Sequence, residues 1–117
     1  MRNINGDLSG YRKMVLFVMF DMPTETKKDL KIYREFRKEL LKNGFIMFQF
    51  SIYIRFCRSL AIAQKYEGRI EGLAPENGSI RIMKITESQY QNMKIIENYR
   101  EKPEEKLQEQ YQTIMVF

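Results

Sequence analysis

The chain predicts an α+β fold in which two helices cover one face of an antiparallel sheet, and three observations predict it. An entirely apolar run, 14–20 (MVLFVMF), ends abruptly at Asp21 and a proline turn. Helical periodicity follows, then an aromatic and β-branched run, 45–56 (FIMFQFSIYIRF), that Gln49-Phe50-Ser51 interrupts. A second helical segment and a further strand, 79–86 (SIRIMKIT), complete the order β-α-β-β-α-β, the split βαβ pattern of a ferredoxin-like domain.

Residues 14–21 are short, apolar on both faces and bounded by turn chemistry, as a central strand requires. Thr24 or Thr26 caps the next helix, with Glu25 and Asp29 at its positive end. That helix reaches about Asn43, and Gly44 supplies the residue after its last turn. Residues 45–56 are long for one strand, so two strands with a tight bend at 49–51 are expected, a single bulged strand being the alternative. Over 59–73, Leu60, Ala63, Tyr66, Ile70 and Leu73 recur at helical spacing, while Gly68 and Gly72 weaken the helix. Pro75-Glu76-Asn77-Gly78 reads as a turn, 88–93 as one helical turn and 94–99 as a short extended piece. The organisation expected is a lead-in over 1–13, one domain over 14–99, a polar linker over 100–110 and an apolar C-terminal strand over 111–117 (YQTIMVF).

With 117 residues, 44% of them apolar and 30% charged, the chain suits a single small folded domain. Its longest apolar run is far too short for a bilayer, and no signal-peptide pattern precedes it. The lone cysteine, Cys57, has no partner for an intrachain disulfide and reads as a small buried apolar residue. A cytoplasmic protein with no membrane partner is expected.

The absence of histidine excludes most: no imidazole acid or base, no Ser-His or Cys-His nucleophile and no His-containing zinc site. Chemistry is left to carboxylates, lysines, tyrosines and hydroxyls, and the metal suited to oxygen ligands alone is Mg²⁺ or Mn²⁺. The formal net charge of +5 points to a polyanionic partner, nucleic acid first.

In a ferredoxin-like sheet half of the side chains over 14–20 face away from the helices, yet all are apolar. Burying a large apolar side chain is worth about 1.5–3 kcal/mol, so a second copy packed sheet to sheet about a two-fold axis is the expected remedy. The polar linker gives the last strand reach to pair with a neighbour's sheet edge, so a homodimer with exchanged C-terminal strands is one expected form.

Asp21 ends the central strand at the sheet's rim, where an aspartate before a proline turn ordinarily caps or bonds local backbone. In a two-fold dimer the two Asp21 carboxylates converge, and such a pair, one from each subunit, suits Mg²⁺ together with water and phosphate oxygens. On the first helix Lys27, Lys31, Arg34, Lys38 and Lys42 share one stripe at about 100° per residue, opposite Tyr33, Phe36 and Leu40. Sorting cations this way exceeds what solvation requires and makes a rail for a phosphate backbone, read by charge and shape rather than by sequence. Arg55 and Arg58 near the sheet edge add candidate phosphate contacts. Phe20, Ser51 and Tyr53 are supporting candidates, a turn serine and a core tyrosine being the plainer readings of the last two. No Lys/Arg-Gly-Phe strand pattern supports base stacking by an RNA-recognition motif.

The stretches VMFDMPTET (18–26), YREFRKELLKNGFIMFQFSIYIR (33–55) and GSIRIMKITESQYQNM (78–93) resemble the CRISPR-associated protein Two family, in the branch accompanying single-effector systems. The resemblance implies a small ferredoxin-like dimer described as a metal-dependent endonuclease, on RNA first and in some members on double-stranded DNA. It also implies a central scaffold bridging two integrase dimers (CRISPR-associated protein One) during spacer acquisition. The family's metal-binding aspartate matches Asp21 and its preceding aromatic matches Phe20. Its Gln-aromatic-Ser stretch matches 49–53, with Ile52 and Tyr53 in the last two places. Lys27, Lys31 and Arg34 are the candidates for its helix arginines. The expected function is therefore a duplex-DNA-binding adaptation scaffold, with Mg²⁺-dependent endonuclease activity conditional on the Asp21 pair. The alternative is a toxin-type metal-dependent ribonuclease acting without an integrase.

Overall fold

The structure, a computed structural model, describes residues 12–98; most of the lead-in, Tyr99, the polar linker and the C-terminal strand lie outside the described residues. The elements are β1 (Met14–Asp21), α1 (Lys27–Lys42), β2 (Ile46–Gln49), β3 (Ile52–Cys57), α2 (Leu60–Leu73), β4 (Ser79–Thr86) and α3 (Glu87–Gln91). The sheet order is β2-β3-β1-β4 with every neighbouring pair antiparallel, the ferredoxin-like arrangement. β1 is central, which explains why its sequence has no polar face before Asp21.

Of the two candidate caps, Thr26 is the one used. Its Oγ1 accepts from the Asp29 amide at 3.0 Å while Asp29 Oδ2 accepts from the Thr26 amide at 3.1 Å, a reciprocal capping box that Thr24 has no partner to make. At the other end the Gly44 amide donates to the Leu41 carbonyl and the Phe45 amide to the Leu40 carbonyl. Gly44 takes φ +86° there, and Leu40 and Phe45 bury together, so the chain leaves α1 straight into β2. Residues 45–56 form two strands, not one bulged strand, with the turn at Phe50-Ser51 and a register irregularity between Met47 and Gln49.

Alternation along β1 makes two cores. Leu16, Val18 and Phe20 face the helices and pack with Tyr33, Phe36 and Leu40 of α1 and with Ala63 and Ile70 of α2. Cys57 is buried in the same layer, as expected. Leu73, expected in this core, is exposed instead, because the last turn of α2 lies beside an open depression between the helices.

Val15, Phe17 and Ile54 face the other way and are also buried. Here the structure departs from the expectation of a face open to water. The helical turn expected at 88–93 forms at Glu87–Gln91, capped by Thr86, and lays Tyr90 over that face. The Tyr90 ring lies 6.2 Å from Phe17, 6.1 Å from Phe48 and 5.4 Å from Phe56. This cover is partial: Ile46 (54% exposed), Phe56 (48%) and Met83 (43%) remain at the surface. Of the extended piece expected over 94–99, the described residues 94–98 belong to no strand, and Ile95 and Ile96 are exposed. Among the described residues no helix is long and apolar enough to cross a membrane.

Candidate nucleic-acid interface and strand-end carboxylate

Asp21 is the last residue of β1 and is exposed. It is directly opposite Ser79 of β4, and Met19, on the same face, is opposite Arg81. Strand alternation therefore places Asp21, Ser79 and Arg81 on the face that carries Ile46, Phe56 and Met83. Two contacts fix this strand end. The Phe20 amide donates to the Ser51 carbonyl at 3.1 Å, and Gly78, at φ +122°, passes so close that a Cβ would lie 3.1 Å from the Asp21 carbonyl oxygen and 2.7 Å from Met22 Cγ.

The supporting candidates divide. Phe20 is a core residue, 5.2 Å from Phe36 and 5.8 Å from both Tyr33 and Tyr53 between ring centroids. Tyr53 is wholly buried in that helix-side core, on the opposite face from Asp21. Of its two readings the plainer one holds for the side chain: Tyr53 is a core tyrosine. Ser51 sits half-buried in the β2–β3 turn at φ +65°, and what it brings to the site is its backbone carbonyl.

On α1, Lys27, Lys31, Lys38 and Lys42 are exposed and Arg34 is half-buried. At about 1.5 Å per residue the stripe is about 22 Å long. Glu39 holds Lys42 at 3.6 Å, an exposed pair of small energetic weight. The stripe lies on the helix layer, whereas Asp21 belongs to the opposite sheet face, so a single chain does not join the two into one surface. Arg58 is exposed just before the Ser59 cap of α2.

Arg55 is anchored within the chain. Its Nε donates to the Asn43 carbonyl at 2.8 Å and Nη1 to the Phe56 carbonyl at 3.2 Å, and its guanidinium carbon stands 3.7 Å from the centre of the Tyr66 ring. It ties the end of α1 to α2. Sequence reasoning missed Arg81, Tyr90, and the Lys65 and Arg69 that join Arg55 around Tyr66. Strand register and tertiary packing bring these together, and no spacing along the chain announces them.

Among the described residues there is no group of three or more His, Cys, Asp or Glu able to hold a metal ion. Asp21 is the carboxylate at this strand end, and carboxylate oxygen is the kind of donor that suits Mg²⁺ or Mn²⁺.

Known proteins place the chain. The family described as CRISPR associated protein Cas2 matches residues 14–93, which spans β1 to the end of the segment over the second face. A CRISPR-associated endoribonuclease Cas2 from Flavobacterium psychrophilum is 50% identical over 98 residues, covering 84% of each chain. Proteins of the same name from Ligilactobacillus salivarius and Lacticaseibacillus rhamnosus are 44% and 42% identical over 80 residues, covering 68% of this chain and 79% of each of theirs. With the ferredoxin-like sheet, the strand-end aspartate and this match running through every described element, the chain belongs to the Cas2 family.

Proposed function

We propose that this protein acts in CRISPR adaptation as a homodimer that holds duplex DNA along the α1 stripe and bridges integrase dimers. We propose also that the Asp21 pair gives it a metal-dependent endonuclease activity, on RNA first. One observation carries the reading: Asp21 is exposed on the same sheet face as the uncovered Ile46, Phe56 and Met83. Two copies that bury this face against each other approach through the surface that bears the carboxylate. The chemistry a bound Mg²⁺ or Mn²⁺ supplies is a nucleophilic water and charge neutralisation at the phosphodiester. The chain's own part is to hold Asp21 at a fixed strand end, through the Ser51 carbonyl, Gly78 and the Phe20 cluster, and to set Arg81 beside it as a cation for the phosphate. The relatives' name, endoribonuclease, supports the activity, and their CRISPR association favours adaptation over a toxin-type role.

Scaffold and nuclease are separable, because the stripe and Asp21 occupy different faces. In the purified full-length protein, Asp21→Ala should abolish Mg²⁺-dependent cleavage of labelled RNA and leave duplex binding unchanged. Cleavage that survives the substitution removes the Asp21 mechanism.

A further inference from the structure

The geometry points to a second phosphate-binding site on α2: the cations Arg55, Lys65 and Arg69 gathered around the Tyr66 ring, which take a phosphodiester of the same nucleic-acid strand that follows α1. The inference rests on nucleic-acid binding by the α1 stripe and extends it.

Three positive groups share one aromatic ring. The Arg55 and Arg69 guanidinium carbons lie 3.7 and 4.8 Å from its centroid, and the Lys65 ammonium 5.7 Å. The ring's negative face offsets some of their mutual repulsion, but an anion is the missing counterpart. The described residues do not supply one. Glu67 is taken by Lys84 and Glu39 by Lys42, and among the described residues no carboxylate comes within ion-pair distance of Arg55, Lys65 or Arg69.

The cluster is built, not incidental. Arg55 is anchored to the Asn43 carbonyl and Arg69 Nη1 to Asn43 Oδ1 at 3.1 Å, which leaves Nη2 of both guanidiniums and the Lys65 ammonium with no hydrogen-bond partner among the described residues. Gly44 clears the space: a Cβ there would meet Arg55 Nε at 3.0 Å. The outer face of α2 beside these cations is open, because a Cβ at Gly68 or at Gly72 would meet nothing within 4 Å. Continuity with the stripe is direct. Lys42, its last cation, shares an open depression of about 440 Å³ with Glu39, Asn43, Arg69, Gly72 and Leu73. A guanidinium fork with spare donors suits a phosphate oxygen pair, and a backbone leaving α1 at Lys42 meets Arg69 next.

The test is the salt dependence of binding by the full-length protein to a labelled DNA duplex. Lys65→Gln with Arg69→Gln, both exposed, should lower the slope of log K against log salt by about 1 to 2, at roughly 0.9 per phosphate contact. An unchanged slope in this variant, while Lys31→Gln with Lys38→Gln lowers it, overturns the α2 site and leaves the stripe standing. Absence of salt-dependent binding by the unsubstituted protein overturns both. Loss of binding to a poly-glutamate peptide with the duplex slope intact also overturns the inference, assigning the cluster to an acidic protein partner.

Discussion

Phe20 and Asp21 are consecutive at the end of β1 yet belong to opposite sides of the sheet: Phe20 is 6% exposed among Tyr33, Phe36 and Tyr53, and Asp21 is in solvent. The aromatic anchors the helix side, so the carboxylate's direction follows from strand alternation rather than from any bond of its own. Phe20→Ala should therefore cost about 3–5 kcal/mol, read by denaturant unfolding at fixed chain concentration. Asp21→Ala should stay within about 0.5 kcal/mol of the parent, as an exposed substitution that breaks no described contact. Comparable losses in the two variants would show that Asp21 carries structural weight.

The surface that remains apolar after Tyr90 has folded over the second face predicts association. Ile46→Lys with Met83→Lys puts two charges on exposed positions of that face and leaves both buried cores intact. Sedimentation velocity should show a dimer for the parent chain and a folded monomer for the variant, with cleavage lost alongside. A monomeric parent at micromolar concentration would remove the paired-carboxylate site.

Two glycines should respond with opposite sign. Gly44 has φ +86° and faces Arg55, so Gly44→Ala should destabilise by about 1–2 kcal/mol. Gly68 is helical with open space around it, so Gly68→Ala should stabilise by about 0.4–1 kcal/mol, through reduced freedom of the unfolded chain. Thermal melts of the two variants check both signs.

Much of this was legible in one dimension because local physics decides it. The apolar run to Asp21 marks the central strand, a threonine at 24 or 26 marks where α1 begins, Gly44 marks where it ends, and the cation stripe follows from helical period alone. The bend at Phe50-Ser51 announced itself as a break in strand material. Other features had no local signature. Tyr90 covers Phe17, Phe48 and Phe56, which lie far from it in sequence, so only the packed sheet shows that the second face is partly closed from within. Arg55 looked like a free edge cation. Its neighbours are Asn43, the C-cap of α1, and Tyr66 of α2, and their approach turns it into a tie between the two helices. Periods of 2 and 3.6 assign each side chain to a face, whereas which faces meet depends on how distant elements fill a common volume, and that the tertiary structure alone decides.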